Sequence, residues 1–130
     1  RRSRSWSNAL SLAEKISRNT GCRAEVFDLE DPAALRGSLE SSQLLTNATS
    51  VGMAPNDDRS PVPDASFLHR GLLVSDIIYN PRETRLMRLA MDAGCQVLGG
   101  LSLLLYQGAE AFRIWTGQDM PLEPIRQKYF

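Results

Sequence analysis

The feature that most constrains this chain is the stretch Leu72 to Ile78, L-L-V-S-D-I-I. Its nearly continuous apolar run, interrupted by Asp76, is the pattern of a strand covered on both faces. Such a strand needs helices above and below its sheet, which points to the α/β class with parallel strands. The following residues agree. Tyr79-Asn80-Pro81 ends the strand, Thr84 to Ala93 carries a helical pattern closed by Gly94, and Cys95 to Leu98 is the next strand. Together they read as a βαβ unit with a right-handed crossover.

The alternation extends in both directions. Downstream, Gly99-Gly100 opens a long apolar helix that runs to Gly117. Leu101, Leu104, Leu105, Gly108, Phe112 and Trp115 share one helical face and read as core. Gln107 projects from another stripe, with Gly100, Leu103 and Ala111, where small neighbours leave room for a ligand. Taken alone, a Gln there is more often structural. Pro121 starts a short terminal helix to about Lys128. Upstream, Ser5 to Asn19 is a helix with Trp6, Leu10, Ala13 and Ile16 on its buried face and Gly21 past its end. Arg23 to Leu29 reads as a strand, and Asp31 and Pro32 suit the cap and first turn of a helix to Glu40. Leu44 to Asn47 is another strand, followed by a loop from Ala54 to Asp64 rich in Pro, Asp, Asn and Ser.

Composition narrows the function classes. With 130 residues the chain can bury one core, and 42% hydrophobic residues with 23% charged is ordinary globular usage. No window approaches the run of about 18 apolar residues that a membrane span needs. Fifteen basic and fifteen acidic side chains cancel, so no global field recruits nucleic acid or anionic lipid. Cys22 and Cys95 have no His or Cys at metal spacing and read as buried free thiols, which with no visible signal peptide suggests the cytoplasm. A start at Arg1 rather than Met suggests that something precedes it.

In an open parallel sheet, ligands bind beyond the carboxyl ends of the strands. Asn47 to Met53, N-A-T-S-V-G-M, places small polar residues and a glycine there, where backbone could approach a ligand closely. Ile77 to Asn80, I-I-Y-N, adds an aromatic hydroxyl, and Gly99-Gly100 leads to Gln107. N-A-T-S-V-G-M, L-L-V-S-D-I-I-Y-N-P-R-E-T-R-L and G-G-L-S-L-L-L-Y-Q-G-A-E-A-F-R-I-W-T-G together resemble the carboxyl-terminal portion of shikimate dehydrogenases, especially the quinate/shikimate branch. The resemblance runs from Arg1 to about Gln127.

It implies a partial Rossmann-like parallel sheet, with strands resembling the third to the sixth. Residues 1–100 would be an incomplete nicotinamide-nucleotide-binding domain, and 101–130 carboxyl-terminal helices facing a substrate domain. The implied cofactor is NADP, with NAD possible, and the implied substrate is shikimate or quinate. Arg1, Arg2, Ser3 and Arg4 would meet the adenosine ribose end of the cofactor. Ser50 and Ile77, with a backbone group of Gly100, would contact its nicotinamide half, and Ile78, Tyr79 and Asn80 complete the cofactor-binding set. Tyr79 and Gln107 would touch the substrate. No catalytic residue is assigned within the chain. Asp76 could serve as a base by type, but the resemblance gives it no proton-transfer role and it reads as structural; His69 reads as a solvated loop residue.

The departures have consequences. The chain has no G-x-G-x-x-G turn to hold a pyrophosphate. The family's proton-transferring Lys and Asp belong to the substrate domain, so the isolated chain is expected to be inactive. In the sheet order 3-2-1-4-5-6, Arg23 to Leu29 would lack its neighbour and Leu44 to Asn47 would show an open apolar edge, which favours association or a homodimer. A non-catalytic remnant or interaction domain is the rival reading. Three arginines with Ser3 and no early carboxylate favour the 2'-phosphate of NADP.

Overall fold

The computed structural model describes residues 4–129. It divides into two compact units, Arg1–Gly37 and Ser38–Phe130.

The first unit opens with α1 (Arg4–Thr20). Gly21 follows it at φ +69°, and the Asn19 and Thr20 side chains donate back to the Lys15 and Ile16 carbonyls at 2.8 and 2.7 Å. The expected apolar stripe is only partly covered: Trp6 and Ala13 are half-buried, whereas Leu10 and Ile16 are exposed. Arg23 to Leu29 is not a strand. A strand exists only as one side of a hydrogen-bonded ladder, and no ladder reaches it among the described residues. Local contacts hold it instead: the Ala24 N–H donates to Ser17 Oγ at 3.1 Å, Arg23 pairs with Glu25, and Phe27 and Leu29 stay exposed. Cys22 is exposed, contrary to the expectation of a buried thiol, because it sits at the open end of α1. Asp31 caps α2 (Pro32–Glu40) as expected, its Oδ1 accepting from the Ala33 and Ala34 N–H groups at 3.0 and 3.2 Å.

In the second unit β1 (Leu44–Asn47), β2 (Leu73–Asp76) and β3 (Gln96–Leu98) form a parallel sheet in the order β1-β2-β3. Leu44 pairs with Leu73 and Asn47 with Asp76, while Leu73 pairs with Gln96. β1 is thus an edge strand, its Leu44 exposed. α3 (Arg85–Asp92) connects β2 to β3 and packs on both. Leu86 and Ala90 of α3 are buried, as are Leu72 and Val74. Along β2, Val74 and Asp76 are buried and Leu73 and Ser75 half-buried, so one face of the strand is fully covered and the other only in part.

A short 3-10 turn at Ala65–Phe67, capped by Asp64, carries the connection from β1 to β2 and packs on α3. His69 then proves to be a staple rather than a solvated residue. Its Nδ1 accepts from the Gly71 N–H at 3.2 Å, which leaves Nε2 to donate to the Leu39 carbonyl at 3.2 Å. Cys95 is half-buried, its Sγ donating to the His69 carbonyl at 3.2 Å. Burial holds that thiol above its usual pKa.

α4 (Gly100–Thr116) and α5 (Leu122–Tyr129) finish the unit and pack on each other. Gly117 ends α4 in the left-handed region at φ +70°. Of the face expected to be core, Leu105 is buried, Leu101, Leu104, Gly108 and Phe112 are half-buried, and Trp115 is 82% exposed. Length explains the gradient. A 17-residue helix reaches roughly 25 Å, whereas strands of 3 or 4 residues span only about 10 to 13 Å. Among the described residues no helix is long and apolar enough to cross a membrane.

Candidate functional site

β1 and β2 end side by side, with Asn47 and Asp76 as register partners, and both side chains are buried. The Asn47 amide organises the turn that follows β1. Its Oδ1 accepts from the Thr49 N–H at 3.1 Å and from Thr49 Oγ1 at 2.7 Å, and its Nδ2 donates to the Val51 carbonyl at 3.1 Å. Gly52 completes this turn at φ +95°, and a Cβ there would lie 2.9 Å from the Arg59 carbonyl oxygen. The glycine is therefore required by packing inside the chain, not by the approach of a ligand.

Asp76 binds inward. Its Oδ1 accepts from Asn47 Nδ2 at 3.2 Å and from the Ile78 N–H at 3.1 Å, and its Oδ2 accepts from Thr84 Oγ1 at 2.7 Å. Thr84 also caps α3, its hydroxyl oxygen accepting from the Met87 N–H at 3.2 Å. With every contact internal, Asp76 is structural, in agreement with its sequence reading. The Asn80 carbonyl accepts from the Ala54 N–H at 3.2 Å and ties the two loops together again.

Between these loops lies a cavity of about 350 Å³, lined by residues 48–50, 53–54 and 77–80. Five sequence-predicted residues line it: Ser50, Ile77, Ile78, Tyr79 and Asn80. Its walls combine Ala48, Met53, Ala54 and the two isoleucines with two hydroxyls, a phenol and an amide, and no charged residue lines it. Tyr79 is about half exposed and Ile77 39% exposed.

Gly100 supports the cavity from behind. Its N–H donates to the Ile78 carbonyl at 3.3 Å, and a Cβ on it would lie 2.2 Å from the Ile77 carbonyl oxygen, so any side chain there would push the start of α4 off the Ile77–Ile78 backbone. Gln107 is exposed and is not among the cavity-lining residues. It sits two turns along α4, about 10 Å from Gly100 by helix rise. Arg1, Arg2 and Ser3 lie outside the described residues, and Arg4 is the first residue of α1.

Sequence reasoning singled out the turn Asn47 to Met53 without naming Ala48, Thr49 or Met53 as lining, and missed Ala54 as lining and Asn47 and Thr84 as the partners of Asp76. The available signal was Asp76 itself. A carboxylate inside an apolar strand needs hydrogen-bond donors, and the polar residues at the neighbouring strand end and helix start were the candidates.

Residues 100–128 match the family described as Shikimate 5'-dehydrogenase C-terminal domain. The chain is 46% identical over 127 residues to a quinate/shikimate dehydrogenase of Escherichia coli strain E24377A, covering 98% of this chain and 44% of that protein. It superimposes with a TM-score of 0.88 on the shikimate 5-dehydrogenase of Listeria monocytogenes, solved with shikimate and NAD, at 43% identity over 100% of this chain and 45% of that one. The Thermus thermophilus enzyme, solved with NADP(H) and shikimate, gives 0.73 and 35% identity over 95% of this chain and 42% of that one. The chain thus spans less than half the length of the relatives it matches. With the fold and nearly its whole length in agreement, the chain belongs to the shikimate dehydrogenase family and corresponds to the carboxyl-terminal portion of its members.

Proposed function

We infer that this sequence supplies the nicotinamide-facing cavity and the carboxyl-terminal helices of an NAD(P)-dependent shikimate or quinate dehydrogenase. Residues 1–100 form the incomplete nucleotide-binding part and 101–130 the helices that face a substrate domain. The observation that carries this reading is the convergence of Ser50, Ile77, Ile78, Tyr79 and Asn80 on one strand-end cavity. Mostly apolar walls with a few hydroxyls and an amide fit a flat nicotinamide ring and its carboxamide, and parallel sheets bind nucleotides at this end.

When bound, the nicotinamide cofactor accepts or donates the hydride. The chain's own residues hold and orient. Ile77 and Ile78 bound the ring, and Ser50 and Asn80 offer polar contacts. Gly100 keeps the start of α4 seated on the Ile77–Ile78 backbone. Tyr79 and Gln107 present a phenol and an amide to the hydroxyl-rich substrate. Arg1, Arg2, Ser3 and Arg4 read the ribose end and favour the 2'-phosphate of NADP, with NAD as the second cofactor. Proton transfer falls to the family's Lys and Asp in the substrate domain, so the isolated chain turns over nothing. The cytoplasm is the compartment that suits such an enzyme, and the open edge of β1 suits association between copies.

The test is a dehydrogenase assay on the full-length protein with shikimate and quinate, each with NADP and NAD. Turnover is expected, with the larger kcat/KM for NADP and a loss of that preference when Arg1 and Arg2 become alanine. Purified residues 1–130 should show none. Full-length protein that turns over neither substrate, or turnover by the isolated chain, would refute the corresponding part of the reading.

A further inference from the structure

We propose that Asp76 and Asn47 are positioning residues, setting the separation between the two walls of the cavity and thereby the rate at which nicotinamide and substrate react. This rests on the functional reading above. One wall is the turn after β1, which contains Ser50; the other is Ile77 to Asn80. Two backbone bonds tie them, Ile77 N–H to the Asn47 carbonyl and Ala54 N–H to the Asn80 carbonyl, and one side-chain oxygen bridges them as well. Asp76 Oδ1 accepts from Asn47 Nδ2, on the first wall, and from the Ile78 N–H, on the second. The same Asn47 amide holds the Thr49 N–H and the Val51 carbonyl, so the whole turn moves with it.

Stability alone does not account for this arrangement. Asp76 is 1% exposed, and the partners described above are the neutral groups of Asn47, Ile78 and Thr84. Burying a carboxylate against neutral donors gains little over an apolar side chain of the same size, and what it adds is geometry. Thr84 Oγ1 holds the other oxygen and fixes the plane of the carboxylate. Hydride transfer is steeply sensitive to such geometry, since misplacement by about 1 Å from a change away from the chemistry can cost on the order of 10²-fold in rate.

The experiment uses the full-length protein, with kcat and KM measured at a temperature where every variant is fully folded. Asp76→Ala should lower kcat on the order of 10²-fold. Asp76→Asn, which keeps an acceptor oxygen for Ile78 and Asn47, should return kcat to within several-fold of wild type. Leu86→Ala, a buried apolar change on α3, serves as the stability control and should leave kcat alone. If Asp76→Ala does not fold, Asn47→Ala removes the first wall's side-chain attachment while leaving the Ile78 and Thr84 bonds, and should show the same loss. Wild-type kcat in Asp76→Ala or Asn47→Ala, or an equal loss in Leu86→Ala, would overturn the proposal. Should the wild-type protein prove inactive with shikimate and quinate, the functional reading fails and the positioning role is still decided by hydrogen exchange. Asp76→Ala should then speed exchange at the Ile78 amide and also at the Thr49 amide, which bonds Asn47 rather than Asp76. Unchanged exchange at Thr49 would sink the coupling between the walls.

Discussion

The turns beyond β1 and β2 and the outer half of α4 both meet solvent, yet they are built in opposite ways. The turns are fixed from beneath by buried polar groups: Asn47, Asp76 and Thr84 are each at most 3% exposed and bond one another. The outer half of α4 has no such foundation, and Ile114 and Trp115 stand 73% and 82% exposed. Its polar contacts are local. Arg113 grips Glu110 one turn back at 2.7 and 2.8 Å, which holds the Glu110 carboxyl below its usual pKa range, and Thr116 donates to the Phe112 carbonyl. The difference teaches that the cavity walls take their geometry from contacts within this chain, whereas an apolar helix surface of this kind is usually one that something else covers.

The largest expected effect separates the two regions directly. In the 130-residue chain, Leu86→Ala should cost about 2 to 5 kcal/mol of stability by opening a cavity under the sheet. Trp115→Ala in the same chain should stay within about 0.5 kcal/mol, as exposed substitutions do. Urea denaturation compares them, and equal losses would show that the α4 end is as well packed as the core.

A smaller effect belongs to α4 in the complete protein. Gln107→Ala should raise the substrate KM more than the cofactor KM, by the equivalent of about 0.5 to 1.5 kcal/mol for one lost hydrogen bond. An unchanged substrate KM would return Gln107 to a structural role and leave the cavity walls as the whole of the site in this chain.

The smallest prediction compares the units through their thiols. The thiolate is the reactive form, and burial raises the Cys95 pKa, so near neutral pH less of Cys95 is ionised than its unburied value would allow. Cys22 is exposed. Alkylation by iodoacetamide, followed by mass spectrometry, should label Cys22 first. Raising the pH through the thiol range should narrow the gap, because Cys95 then ionises as well. Equal rates at neutral pH would show that the region around Cys95 opens readily.

Much was legible in the residues because the signals are local. The cap at Asp31, the glycines at positions 21, 94 and 117, and the apolar run before Tyr79 each act within a few positions of themselves. They placed helices and strands within about two residues of their observed ends. The resemblance to shikimate dehydrogenases likewise rested on short contiguous motifs, and the cavity-lining residues Ser50 and Ile77 to Asn80 followed from them. Arg23 to Leu29 shows the limit. Its composition suits a strand, but pairing needs a second segment, and no ladder reaches it among the described residues.

Neighbouring residues alone thus carried the class, every helix and strand named above except the expected strand at Arg23 to Leu29, and the ends of the strands where a ligand would sit. Only the tertiary structure decided that one oxygen of Asp76 joins the two cavity walls, that His69 staples the end of α2 to the start of β2, and that Trp115 remains uncovered. The reason is range. Helical and strand patterns are written in neighbouring residues, whereas a buried hydrogen bond between Asn47 and Asp76, or the want of a surface against Trp115, depends on which distant part of the chain arrives there.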